Sequence, residues 1–218
     1  MPLERATMIR AALTLLNEVG LDGLTVRRLA ERLGVQNPAL YWHFKNKQEL
    51  LDEMASTMLA DAFAGIEPPS THEGWAEWLA EVAERFRLAL LTHRDGARVI
   101  ATANLTASPL LASQELALRV LTAAGFDLRA ALVSIVAIFD YTLGAAFEEQ
   151  SEPDHLKWGR SSLLQSRHPS LDLARLPLLA AAFDELTNTA TNHSTVGFQG
   201  GLHLLLAGMV ATKKALAH

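Results

Sequence analysis

The chain has 218 residues, half of them hydrophobic and 20% charged, a balance that supplies a large core and excludes a disordered protein. It has no cysteine, which excludes a disulfide framework, a thiolate nucleophile and a thiolate metal site. The net charge of −5 is uneven: residues 1–50 hold seven Lys/Arg against five Asp/Glu and the rest holds 12 against 19, so a mildly basic end joins an acidic body.

Nearly every segment reads as helix, because Pro and Gly fall at breaks and no run sustains period-two alternation. Ile9, Leu13, Leu16 and Val19 recur at helical spacing, and Gly20 ends that helix. Thr25 caps the next, which turns Val26, Leu29, Ala30 and Leu33 inward and stops at Gly34. Asn37-Pro38 starts a short third helix, since Pro at the first helical position loses no bond. Asn46-Lys47-Gln48-Glu49 resembles a capping box and opens a longer helix toward Ala64. Glu67–Gly74 is the clearest linker. Beyond it, Trp75–Thr92 is amphipathic through Trp78, Val82, Phe86 and Leu90, and breaks at Asp95-Gly96. Ser108-Pro109 starts a helix that ends at Gly125, and Asp127 caps a long one reaching about Gln150. Residues 151–174 read as a polar, Pro-bearing loop, and Leu176–Leu186 with Thr195–Ala217 as a final pair of helices. The expected fold is all-α.

Met1–Arg10 mixes acid and base with no apolar run, so no signal peptide is expected. Ala130–Phe147 is apolar enough to raise a membrane span, but Asp140 sits inside it and the flanks lack a Lys/Arg asymmetry. A helix buried on most sides, with no membrane partner, is the expected reading. Gly197, Gly201 and Gly208 on the last helix permit close helix approach in water, so these two long helices are expected to form a subunit interface.

Four basic residues (Arg27, Arg28, Lys45, Lys47) surround "NPALYWHF". Small Ala30, Gly34 four residues on, and apolar Val35 and Leu40 make a helix-turn-helix pattern. The outer face of its second helix offers Gln36, Asn37, Ala39, Tyr41 and His43 to a major groove. Lys47 and the start of the following helix are placed for phosphates, and Arg27 for a guanine edge. Tyr41 is expected to face DNA, and Trp42 to pack on the first helix.

At these residues the chain resembles the TetR family of bacterial repressors. "GLTVRRLAERLGVQNPALYWHFKNKQELL" carries the resemblance, and "ALYWHFKNK" is its most diagnostic part. "FRLALLTHRDGARV" (Phe86–Val99) and "TLGAAFEEQ" (Thr142–Gln150) are similar to the tetracycline-repressor branch. The match is dense over about residues 8–60 and patchy afterwards. It implies a homodimer with a helix-turn-helix domain over residues 1–47 and a ligand-binding and dimerisation domain over residues 48–218. It also implies DNA contacts at Thr25, Arg27, Asn37, Pro38, Ala39, Tyr41, His43 and Lys47. Ala39 departs from a Thr common in tetracycline repressors, so a different operator is expected.

In that branch a His in the short helix after "RDGA" holds the drug's magnesium, with a Glu of the other subunit nearby. Here the corresponding residues are Ile100 and Glu148. Ile100 has no lone pair, so a tetracycline–magnesium effector is not expected, nor any metal or cofactor. Replacement of the polar contacts by Phe63, Val82 and Asn104-Leu105 points to an apolar or aromatic effector. Phe63, Phe86, Ile100, Leu105 and Phe139 are the candidate wall, against the alternative that they are plain core. Asn104, Gln114 and Asp140 are candidate polar contacts, Asp140 being equally a candidate for the subunit interface.

No catalytic set converges. Glu148 and Glu149 are adjacent on a helix and point apart, and Ser194 reads as a helix cap, with no acid placed to complete a triad with His193 or His203. The segment "THRDGARV" is the candidate transmitter between the two units. These readings lead to a cytoplasmic, homodimeric repressor that binds double-stranded operator DNA and is released by a small-molecule effector. A regulator of the same shape without an effector is the alternative, and an all-α enzyme a remote one.

Overall fold

A computed structural model describes residues 4–105, 109–151, 172–188 and 193–216. Ser108, His155 and His168 lie outside the described residues, as do the side chains of His193 and Ser194. Among the described residues there are ten α-helices, 3-10 turns at His72–Gly74 and Leu173–Arg175, and no strand. The all-α expectation holds.

The N-terminal unit is α1 (Arg5–Gly23), α2 (Val26–Leu33) and α3 (Asn37–Tyr41), and α4 (Lys47–Phe63) leads out of it. Thr25 caps α2 by accepting from Arg28 N at 3.2 Å. Gly34 ends it in the left-handed region (φ 66°), where Val35 N–H reaches back to the Ala30 carbonyl at 3.1 Å and Gly34 N–H to that of Glu31 at 3.2 Å. Asn46 Oδ1 accepts from Glu49 N at 2.9 Å while Glu49 Oε2 accepts from Lys45 N at 2.8 Å, a reciprocal cap. Leu13, Leu16, Leu29, Leu40, Phe44 and Met54 are buried together.

Trp42 does not pack on α1; it is 89% exposed. The cause is spacing. Leu40 and Phe44, four residues apart, take the inward face of the α3 segment, and Trp42 lies midway between them on the opposite side. Gly20 breaks α1 as expected (φ 70°, ψ 173°), but a further turn follows it to Gly23.

The second unit comprises α5 (Trp75–Thr92), α6 (Gly96–Thr102), α7 (Pro109–Ala123), α8 (Leu128–Ser151), α9 (Pro177–Asn188) and α10 (His193–Leu216). α4 packs against α1 on one side and α5, α6 and α7 on the other, and one hydrophobic cluster runs from Met8 through Met58 to Phe86, Leu90 and Ile100. The two units therefore share α4 as a common wall.

α8 is the one described helix long and apolar enough to cross a membrane by length and composition. Contrary to expectation it is not buried on most sides. Ala131, Ile135, Ile138, Thr142 and Ala146 face inward, while Leu128, Leu132, Val133, Val136 and Phe147 are exposed. α10 packs beside it through Gly201, where a Cβ would collide with the Tyr141 ring. Tyr141 donates into the Gly197 and Phe198 carbonyls at 3.1 and 2.9 Å. Arg87 of α5, 3% exposed, pairs with Glu84 (3.0 Å) and Glu149 (2.6 Å) beneath the Phe198 ring. A buried guanidinium is tolerated only with such partners.

Gly96 starts α6 where a Cβ would run into the Leu90 carbonyl oxygen and come within 3.1 Å of Met58 Cε. Gly96→Ala is expected to cost about 1–3 kcal/mol through overpacking. Thermal unfolding should show a midpoint lowered by roughly 2–4 °C per kcal/mol, and an unchanged midpoint would contradict the packing.

Candidate DNA-contact surface and effector cavity

α3 stands out from the N-terminal unit. Gln36 precedes it in extended conformation without a side-chain cap, Pro38 fills its first turn, and Leu40 alone anchors it in the core. Gln36, Asn37, Pro38, Ala39 and Tyr41 are exposed and contiguous, and His43 is half-buried at their edge. The expected face is thus assembled, and Trp42 joins Tyr41 (54% exposed) beside it. Sequence periodicity missed Trp42 because the helix is too short to show a stripe.

Arg27 is exposed and pairs with Glu31 at 2.9 Å, a surface contact that a DNA ligand can displace at small cost. Thr25 is engaged in its cap. Lys47 donates to the Leu21 carbonyl at 3.1 Å, which leaves two of its three ammonium protons for a phosphate. Arg5 braces the back of this surface, donating to the His43 carbonyl at 2.6 Å and pairing with Glu49 and Glu53. Hydrogen bonds from Lys45 N and Arg5 hold the Glu49 carboxyl below its usual range.

The second site lies between α4, α5, α7 and α8. Phe63, Phe86 and Phe139 lie in series, Phe63 tilted by 32° against Phe86 at 5.9 Å and Phe86 stacked on Phe139 at 4.9 Å between centroids. They wall an inner chamber of about 50 Å³ with Val82, Leu110, Ser113, Gln114, Ile135, Ile138 and Thr142. Phe63, Val82 and Ser113 also line an outer cleft of about 330 Å³ toward Ile66, Trp78, Pro109 and Leu116. Four expected residues, Phe63, Phe86, Gln114 and Phe139, are brought together here. Ile100 is 2% exposed in the shared core, outside the chamber. Asn104 is held by its backbone N–H to Asp52 at 2.8 Å, and Leu105 packs on the core. Asp140 is on the exposed side of α8, turned away from the chamber. Ser113 and Thr142 were missed in the sequence. Thr142 was legible as the next step of the Ile135, Ile138, Phe139 stripe.

Neither chamber is lined by a charged side chain among the described residues. Ser113 Oγ donates to the Leu110 carbonyl and Thr142 Oγ1 to that of Ile138, at 2.8 and 2.7 Å. Their protons are taken, and only lone pairs face the cavity. No group of three or more His, Cys, Asp or Glu able to hold a metal occurs among the described residues.

The two units meet at the α5–α6 turn. Asp95, at φ 58°, accepts from Leu21 N at 2.7 Å, Arg94 N donates to Asn17 at 2.9 Å, and Arg98 pairs with Asp22 at 3.0 Å. The Arg98 hydrogen bond lowers the Asp22 carboxyl pKa. The expected transmitter segment thus touches α1 directly.

Two family models match. One described as bacterial regulatory proteins, tetR family, covers residues 8–54, and the tetracyclin repressor-like C-terminal domain covers residues 67–213. The class A tetracycline repressor from transposon 1721 of Escherichia coli is 41% identical over 208 residues, 95% of this chain and 90% of that protein. A possible TetR family transcriptional regulator from Streptomyces coelicolor A3(2) superposes with a TM-score of 0.81 at 36% identity, covering 96% of this chain and 100% of the other. TetR (class A) in complex with 5a,6-anhydrotetracycline and magnesium superposes at 0.68, with 36% identity and 96% and 99% covered.

Tyr41→Ala and Trp42→Ala are expected to leave the melting temperature within about 1 °C, since neither side chain is in the core. Either should weaken binding to a selected duplex at least tenfold, and an undiminished gel shift would remove that residue from the interface. Lys47→Ala should weaken all duplexes alike and lower the salt slope by about 1.

Proposed function

Because this chain belongs to the TetR family of bacterial regulatory proteins, we propose that it is a ligand-responsive transcriptional repressor acting as a homodimer on a palindromic operator. The observation that carries this reading is the outward face of α3. Two aromatic side chains are exposed there beside basic residues, on a chain whose net charge is negative. A solvated surface has no use for Trp42 and Tyr41, whereas base edges and deoxyribose do. Thr25, Arg27, Gln36, Asn37, Pro38, Ala39, Tyr41, His43 and Lys47 contact DNA in this reading, the first and last through phosphates.

The exposed Leu132, Val133 and Val136 of α8 and Leu204 and Val210 of α10 are the dimer face. A two-fold dimer through that face sets two α3 helices in successive major grooves, about 34–36 Å apart. Asp140, on the same side of α8, belongs to that face and not to the effector site. The acting compartment is the bacterial cytoplasm, where operator DNA is found.

The effector is small, uncharged and aromatic or apolar. An ionised ligand would lose its hydration against walls that offer it no counter-charge, a cost of several kcal/mol. The row of Phe63, Phe86 and Phe139 favours a planar ring system. Gln114 is the polar anchor, because its amide has no hydrogen-bonding partner among the described residues. Ile100 closes the position where the resemblance would need an imidazole for magnesium.

Selection from a randomised duplex pool, followed by fluorescence anisotropy, tests the reading. Enrichment of a palindrome with half-sites about ten base pairs apart is expected, and enrichment of no sequence would reject it. Adding 5a,6-anhydrotetracycline with magnesium should leave the complex intact. Release by that pair would overturn the neutral-effector assignment.

A further inference from the structure

The last turn of α8 ends in a side chain with every polar atom committed to another element. Gln150 Nε2 donates to the Leu90 carbonyl at 2.8 Å and to the His93 carbonyl at 2.7 Å, and Gln150 Oε1 accepts from Ala97 N at 3.0 Å. One amide therefore grips the end of α5 and the start of α6 together. Between those grips lies the turn that holds α1, through Asp95 to Leu21 N and Arg94 N to Asn17. The same helix carries Phe139 and Thr142 in the cavity wall, and Thr142 lies eight residues, about 12 Å, before Gln150.

We propose that Gln150 is the positioning residue that couples α8, and hence the cavity, to the DNA-binding unit. The proposal rests on the repressor reading above. Three hydrogen bonds to a single planar group fix distance and direction, so a shift of α8 along its axis carries the α5–α6 turn with it. Without Gln150 the turn stays seated on α1. Asp95, Arg94 and Arg98 still bond to α1, and Gly96 still closes on Leu90 and Met58. The His93 and Leu90 carbonyls also keep backbone donors, Gly96 N at 2.9 Å and His93 N at 3.4 Å, and Ala97 N gives up its acceptor, so the variant is expected to keep its fold at some loss of stability. What is lost is the direct hydrogen-bonded grip of α8 on that turn, while α8 stays packed on α5 with the Arg87–Glu149 pair in place.

Coupling between sites is reciprocal, so DNA can serve as the probe in place of an unidentified effector. Hydrogen–deuterium exchange is measured on the full chain with and without the duplex selected from the randomised pool. In the wild type the duplex is expected to slow exchange at least fivefold both in residues 93–98 and in residues 139–151. In Gln150→Leu the duplex should bind within threefold of wild type and still protect residues 93–98, while the change in residues 139–151 disappears. Gln150→Asn, one methylene too short to reach both grips, should behave likewise and stands in if the leucine variant fails to fold. Persistence of the α8 response in the variants would overturn the coupling role, as would its absence in the wild type. A wild-type chain that binds no duplex would instead overturn the repressor reading on which the role depends.

Discussion

The hydrogen bond by which the Asp95 carboxylate accepts the Leu21 N–H at 2.7 Å seats the α5–α6 turn on α1, where it adds direction to the apolar wall that the two units share through α4. It exists because Gly20 has no side chain. A Cβ there would stand 2.9 Å from Asp95 Oδ2 and 3.1 Å from Arg94 Nε, at a backbone φ of 70° that other residues rarely adopt. Asp95 itself sits at positive φ, tolerated because a short carboxylate side chain can bond locally. The breaker that ends α1 is thus also the gap that admits the α5–α6 turn. Around it, Arg98 with Asp22 and Arg94 with Asn17 spread the contact over several polar pairs. A polar joint of this kind is geometrically specific and weakly held, which suits an element that must change position.

α8 combines three duties that would otherwise conflict. Its inner stripe contributes Ile135, Ile138, Phe139 and Thr142 to the cavity, its outer stripe is apolar and exposed, and its end carries Gln150. The ion-paired Arg87 ties α5 to α8 between cavity and joint, through Glu149. In the proposed dimer α8 is packed on both stripes and moves as a rod, so that a ligand pressing on its middle would act at its end. The cavity itself offers area and little polarity, so in the proposed effector site discrimination among ligands rests on shape and on the Gln114 amide.

Most of the fold was legible because its punctuation is local. Thr25, Gly34, Asn46, Gly125 and Asp127 each satisfy backbone groups at a helix end through contacts within five residues, and such signals survive without tertiary knowledge. The exposed face of α3 was legible for the same reason, as Pro38 and Gly34 fix where that helix begins. Trp42 was misplaced because a one-turn helix has no periodicity to read, and the choice of Leu40 and Phe44 as anchors is made by the rest of the core. Half of the residues expected at the effector site line the inner chamber. Phe63, Phe86, Gln114 and Phe139 converge, while Asp140 faces away and Ile100 lies in the shared core. Which face of a largely apolar helix turns inward depends on what it packs against, and α8 is apolar on both sides. Gln150 carried no signal at all, because its three partners are backbone atoms that any sequence would supply.

The central claim is that two α3 faces are presented at the spacing of successive major grooves. The absence of cysteine permits a direct reading of that spacing, since Lys45→Cys places one spin label per subunit at an exposed position beside the α3 face. Pulsed electron resonance on the dimer with its selected duplex should give one narrow separation of about 34–36 Å, allowing for the label's reach. A distribution that ignores the duplex, or no dipolar coupling at all, would contradict the account.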